Sequence, residues 1–169
     1  MSAAACPNTL SQIRLVAFDV DGVFTDGRFY LSDAGVESKS FNTQDGYGIR
    51  RLVDSDIAVA VISGRQSAAV SSRMQELGVT HVIQGCKDKV AALNELTSEL
   101  GISMTECAYV GDDIPDLPLL QTVAYSVAVA NAVKEVRLQC DYTTAAKGGH
   151  GAVREVCELV LAAHSGTQQ

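Results

Sequence analysis

Basic residues are scarce in this chain: 13 lysines and arginines stand against 20 aspartates and glutamates, a formal charge of −7. Phosphate backbones attract basic faces, so a nucleic-acid partner is not expected. A small anionic substrate stays open, because it needs only a local positive site and a bound metal can supply one. Long apolar runs are also missing; none reaches membrane-spanning length, and no membrane partner is expected. Residues 1–7 have neither the basic stretch nor the apolar run of a signal peptide, which suggests a cytoplasmic protein. The five cysteines (Cys6, Cys86, Cys107, Cys140, Cys157) are scattered and form no C-x-x-C pair. Neither a disulfide framework nor a zinc site is therefore expected, and the three dispersed histidines offer no metal-ligand spacing. There is no internal repeat, low-complexity tract or interdomain linker.

What remains is an ordinary globular composition, 47% hydrophobic and 20% charged, in 169 residues, enough for a single domain with one core. Five short apolar runs, at 14–18, 57–62, 80–84, 107–110 and 124–129, are rich in β-branched or aromatic residues and lack strict polar alternation. Such runs suit strands covered on both faces of a parallel sheet. Helical spacings lie between and after them. Ile49, Leu52 and Val53 share a face, as do Val70, Met74 and Leu77, then Val90, Leu93 and Leu100, and finally Val153, Val156, Cys157, Val160 and Leu161. Alternating strand and helix predicts a three-layer, Rossmann-like α/β sheet built from right-handed crossovers. Ligands of such sheets bind at the carboxyl ends of the strands. Residues 27–41 break the alternation and read as a projecting β-hairpin around Ser32-Asp33-Ala34-Gly35, too short for a cap domain. The polar tail at 165–169 is expected to fray.

Four features fall just after predicted strands. Asp19-Val20-Asp21-Gly22 carries two carboxylates at i and i+2, a pattern of metal binding or proton transfer, although Asp and Gly also favour plain turns. Ser63-Gly64-Arg65 could hold phosphate oxygens with a hydroxyl and backbone N–H groups, or merely cap the next helix. Lys89 opens a helix, where a cation opposes the dipole unless an anion lies nearby; a solvated lysine is the plainer alternative. Gly111-Asp112-Asp113-Ile114-Pro115-Asp116 sets three acids in five residues, whose repulsion a hard cation such as Mg²⁺ would relieve; acids stabilising a helix start are the alternative. The four occur in order, each on a successive strand, and the combination says far more than any member.

These residues resemble the haloacid dehalogenase-like hydrolase superfamily. Phe18 to Val23 looks like its first motif, Ser63 its second, Lys89 its third and Gly111-Asp112-Asp113 its fourth. Asp19 to Gly27, Gln44-Asp45-Gly46-Tyr47-Gly48, Ile62-Ser63-Gly64-Arg65 and Gly148 to Glu155 are similar to its 3-deoxy-D-manno-octulosonate 8-phosphate (KDO 8-phosphate) phosphatases, which serve lipopolysaccharide core synthesis. Relatives acting on nine-carbon sugar-acid 9-phosphates share much of this pattern; Arg65 favours the eight-carbon acid.

The resemblance implies a Mg²⁺ ion held by Asp19, Asp112 and the Asp21 backbone carbonyl, and an aspartyl-phosphate on Asp19. It implies Asp21 as the proton carrier, Ser63 and Lys89 as partners of the phosphoryl charge, and Asp113 and Asp116 as supports behind the metal and Lys89. Gly64, Arg65 and Arg73 become candidate substrate contacts. A homotetramer joined through the hairpins would cover the open site, and the glycine-rich 148–151 segment would be either a gate or a simple loop. A receiver-type signalling domain is the alternative from another class, but it needs an acceptor Asp after the third strand, where this chain has Gly85-Cys86-Lys87. Nucleotide binding is disfavoured, since Asp45 to Arg50 lacks the third glycine of G-x-G-x-x-G and there is no P-loop.

Overall fold

The computed structural model describes residues 7–166. The opening stretch bearing Cys6 and the tail beyond Gly166 lie outside the described residues. A short helix α1 (Pro7–Leu10) leads into β1 (Leu15–Phe18), followed by the paired strands β2 (Tyr30–Leu31) and β3 (Glu37–Ser38). Then come α2 (Thr43–Val53), β4 (Ala58–Ile62), α3 (Ala68–Leu77), β5 (His81–Ile83), α4 (Lys89–Leu100) and β6 (Cys107–Gly111). The chain ends with α5 (Leu117–Leu120), β7 (Tyr125–Ala128), α6 (Lys134–Arg137), β8 (Tyr142–Thr143) and α7 (Ala152–Gly166).

Six strands form one parallel sheet in the order β5-β4-β1-β6-β7-β8. All five expected strands are present. The sixth, β8, is a two-residue edge strand that has no apolar run to announce it. β1 is wholly buried because it lies between two strands and two helical layers, as its unalternating sequence requires. From β1 the chain first builds outward through β4 and β5, then returns to β6 on the other side. β1 therefore borders the point where strand order reverses, where a crevice opens at the carboxyl ends. α2 packs against α7, and α4 against α5; right-handed crossovers place these pairs on opposite faces.

Val153, Val156, Cys157, Val160 and Leu161 of α7 are all buried, as their spacing predicts. In α4 the inner face is carried by Leu93 and Leu96, while Val90 and Leu100 are only partly covered. The segment at 27–41 does project as a hairpin, with Tyr30 opposite Ser38 and Leu31 opposite Glu37. Its turn is closed by the Gly35 N–H donating to the Ser32 carbonyl at 2.8 Å, with Gly35 at a φ of 76°. Cys86, Cys107, Cys140 and Cys157 are free thiols. No described helix is long and apolar enough to cross a membrane.

Candidate active site

The Asp19 N–H continues the ladder of β1 by donating to the Val110 carbonyl at 2.9 Å, and the chain then turns sharply. The Val20 carbonyl accepts from Val23, Phe24 and Thr25, while Thr25 Oγ1 accepts from the N–H groups of Gly22 and Gly27. Gly22 has a φ of 94°, and a β-carbon there would overlap the Asp112 carboxylate. Glycine is what allows two acidic loops from neighbouring strands to meet.

Asp19, Asp21, Ser63, Gly64, Arg65, Lys89, Asp112, Asp113 and Asp116 all line one cleft of about 320 Å³ at the carboxyl ends of the strands. Ser63 is buried and does not cap α3, whose N-terminal flanking residue is Ser67. The Ser63 hydroxyl accepts from the Arg65 N–H at 3.3 Å, keeping its own proton available to the cleft. Lys89 is no solvated surface lysine. Its buried Nζ lies 3.0 Å from Asp19 Oδ1, donates to Asp116 Oδ1 at 2.7 Å and donates to the Tyr109 hydroxyl at 3.1 Å.

Asp116 is fully occupied. Its Oδ1 accepts from Lys89 and from the Tyr109 hydroxyl at 2.7 Å, and its Oδ2 accepts from the N–H groups of Asp112 and Asp113 at 2.9 and 3.2 Å. Asp113 caps the 3₁₀ turn that follows it, accepting from the Ile114 N–H at 2.8 Å. Arg73 lies elsewhere. Its guanidinium packs over Gly46 and pairs with Glu76 at 2.7 Å, so it does not reach this chain's own cleft.

Comparison with known proteins matches residues 80–156 to the haloacid dehalogenase-like hydrolase family. The 3-deoxy-D-manno-octulosonate 8-phosphate phosphatase of Yersinia pestis is 48% identical over 153 residues, covering 90% of this chain and 82% of that protein. Its crystal structure superposes with a TM-score of 0.93 at 46% identity, over 94% of this chain and 86% of that one. The Moraxella catarrhalis phosphatase of the same name, solved with magnesium, phosphate and KDO, gives a TM-score of 0.92 at 45% identity, over 94% and 91%. The chain belongs to the haloacid dehalogenase-like hydrolases, in the branch of the KDO 8-phosphate phosphatases.

The electrostatics of this family member's cleft fit a divalent cation. Asp19, Asp112 and Asp116 bring carboxylate oxygens within 4.8 Å of one another, and Lys89 is the ammonium that touches the group. Burial, then the negative charge of Asp116, pushes Asp19 up to about 6 despite Lys89. Burial, then Asp19, Asp116 and Asp113, pushes Asp112 up to about 8. Burial alone would lower Lys89, but Asp19 and Asp116 outweigh it and hold the ammonium above its ordinary value. Because four donors already saturate Asp116, Asp19 and Asp112 are the carboxylates with oxygens to spare. A Mg²⁺ ion would balance three carboxylates against one ammonium.

Several participants escaped the sequence reading. Tyr109 reads as a core aromatic within an apolar strand, yet its hydroxyl ties Asp116 to Lys89. Asn131 donates to the Gly22 carbonyl at 3.2 Å and accepts from the Gly148 N–H at 2.6 Å. With Gly149 donating to Val23, these bonds make the 148–151 segment the backing of the Asp19 to Thr25 turn. Lys39 and Glu37 of the hairpin reach back to Asp21 and Arg65. Only the Lys-after-strand spacing at 37–39 could have hinted at this, and nothing local distinguishes it from a solvated hairpin face.

Proposed function

We propose that the protein is a Mg²⁺-dependent phosphatase that hydrolyses KDO 8-phosphate to KDO and phosphate, as a single catalytic domain acting in the cytoplasm. The observation that carries this reading is the Asp19 carboxylate at the end of β1, facing a cleft it shares with Lys89, Ser63 and Asp112. The named relatives support the choice of sugar.

Phosphate monoesters hydrolyse extremely slowly without catalysis, and a carboxylate approaching a phosphate dianion first meets repulsion. Mg²⁺ held by Asp19, Asp112 and the Asp21 carbonyl would supply countercharge to the phosphate oxygens. Lys89 holds its ammonium beside the attacking oxygen, and Ser63 offers its hydroxyl proton to a phosphate oxygen. Asp19 attacks phosphorus as the bond to the sugar oxygen breaks, and Asp21 gives that oxygen a proton. Water then attacks phosphorus, Asp19 leaves, and Asp21 recovers a proton from the water. Asp116, locked by Tyr109 and two backbone N–H groups, keeps Lys89 aimed at Asp19. Asp113 fixes the loop that carries Asp112.

Arg65 at the cleft is suited to the sugar acid's carboxylate. Arg73 would reach substrate only in the site of a neighbouring subunit. A homotetramer is supported by the hairpin, which exposes Phe29, Tyr30, Leu31 and Val36. The test is kcat/KM for KDO 8-phosphate, nine-carbon sugar-acid 9-phosphates and simple sugar phosphates, each with Mg²⁺ and with EDTA. A preference of at least about tenfold for KDO 8-phosphate is expected, since the site would pair the acid's carboxylate. Equal values would defeat the substrate assignment.

A further inference from the structure

The hairpin does more than project. Lys39 follows β3, two residues after Glu37, so both side chains leave the same edge of the hairpin toward the cleft. The Lys39 side chain is fully buried, and its Nζ pairs with Asp21 Oδ1 and lies 3.5 Å from Glu37 Oε1. Arg65 donates to Glu37 Oε2 at 2.5 Å, and its Nε lies 3.6 Å from Asp21 Oδ2. Two acids and two cations thus alternate in a closed ring. The Phe29 ring covers it, with its centroid 4.3 Å from Arg65 Cζ and 5.6 Å from Lys39 Nζ.

The two oxygens of Asp21 are treated differently. Oδ1 is anchored directly by Lys39, whereas Oδ2 has only the longer ion pair to Arg65 Nε at 3.6 Å, on a carboxylate that lines the cleft. Lys39 itself does not line the cleft, so its ammonium serves Asp21 and Glu37 and not a substrate.

We infer that Lys39 is a positioning residue for proton transfer by Asp21: the hairpin's own lysine clamps Oδ1 and so presents Oδ2 to the reacting oxygen. The inference rests on the phosphatase reading above. In the first half-reaction the Asp19–phosphorus bond forms, the bond from phosphorus to the sugar oxygen breaks, and the proton passes from Asp21 Oδ2 to that oxygen. In the second, the water–phosphorus bond forms, the Asp19–phosphorus bond breaks, and the water's proton returns to Oδ2. The hairpin therefore contributes to chemistry within its own chain, independently of any contact its exposed tip makes.

The experiment compares wild type with Lys39→Met and Lys39→Arg in the full chain with Mg²⁺, using a sugar phosphate and p-nitrophenyl phosphate. p-Nitrophenolate departs without a proton, so only its second half-reaction needs Asp21. With Lys39→Met, kcat for both substrates should fall about 10- to 100-fold, part of what a positioned acid–base contributes. KM for the sugar phosphate, both of whose half-reactions slow, should stay within about twofold. KM for p-nitrophenyl phosphate should instead fall together with kcat and leave kcat/KM unchanged, because Lys39 touches no substrate and only the second half-reaction slows. A burst of about one p-nitrophenolate per site should appear, since the phospho-enzyme outlives its formation. Lys39→Arg should restore most of kcat.

An unchanged kcat, or a burst that shrinks in step with kcat while KM rises, would overturn the inference. The double variant Glu37→Gln/Lys39→Met guards against a hairpin loosened merely by an unpaired Glu37. It should remain as slow as Lys39→Met, and recovery of wild-type kcat would count against a role through Asp21. A wild type that releases no phosphate from either substrate with Mg²⁺ would sink the phosphatase reading instead, a distinct result.

Discussion

Removing the metal and changing pH should act on the same two carboxylates, Asp19 and Asp112, and the effect can be sized. In the metal-free protein burial first, and then the neighbouring carboxylates, push Asp112 up to about 8 and Asp19 up to about 6. A metal ligand must shed its proton, so Mg²⁺ competes with protons at both residues. At pH 6 about one Asp112 in a hundred and about half of Asp19 are ionised, whereas at pH 8 about half of Asp112 and nearly all Asp19 are. Apparent Mg²⁺ affinity should therefore be roughly 100-fold weaker at pH 6 than at pH 8.

The stability of the metal-free chain follows with the opposite sign from that of an ordinary salt-bridged carboxylate. Between the unfolded values near 4 and the raised folded values, the folded chain holds protons that the unfolded chain releases. Stability contributed by these groups is present at low pH and declines as pH rises toward 8. Titration calorimetry with Mg²⁺ at the two pH values reads the first effect. Thermal melts in EDTA, compared with Asp112→Asn, read the second. At pH 8, Mg²⁺ at a hundred times its dissociation constant should add about 2.7 kcal/mol, or about 5–10 °C in Tm. Equal affinities at pH 6 and 8, or wild-type and Asp112→Asn melts with the same pH slope in EDTA, would refute this electrostatic reasoning.

Three further outcomes follow from single contacts. Gly22→Ala, which forces a β-carbon into the Asp112 carboxylate at a φ of 94°, should cost more than about 100-fold in kcat. It should also weaken Mg²⁺ binding by calorimetry; normal binding would show that the loops can part freely. Tyr109→Phe removes a buried hydroxyl that bridges Lys89 and Asp116, and should lower stability by about 1–2 kcal/mol, about 2–8 °C in Tm. An unchanged melt would mean that the hydroxyl is not needed to hold Asp116. Tyr30→Glu on the exposed hairpin should reduce the assembly mass seen by light scattering, and a wild type that is already monomeric would dismiss the tetramer.

The sheet was legible because parallel strands buried on both faces must be unbroken apolar runs, as Leu15 to Phe18 is. β8 was not, since two residues at an edge carry no such pattern. The acids at 19, 21 and 112 could be read because their loops leave neighbouring strands at the same end, and that follows from alternation alone. Ser63 and Lys89 were placed the same way. What stayed hidden depends on approach between distant segments. Lys39 meets an acid 18 residues earlier, and Asn131 meets a carbonyl 109 residues away. Tyr109 hid for another reason: inside β6 its ring satisfies the apolar pattern, and only its hydroxyl belongs to the site. Arg73 shows the converse: its i,i+3 pair with Glu76 is local to α3, but its place over Gly46 is one no local rule would give.

The central claim is that Asp19 carries the phosphoryl group. Acid quenching the enzyme during turnover of KDO 8-phosphate with Mg²⁺, followed by peptide mass spectrometry, tests it most directly. The account predicts a phosphorylated peptide whose modification maps to Asp19, absent with EDTA and absent in an Asp19→Asn variant that remains folded and releases no phosphate. Phosphate release at the wild-type rate by Asp19→Asn, or a phosphoryl group mapped to another residue, would contradict it.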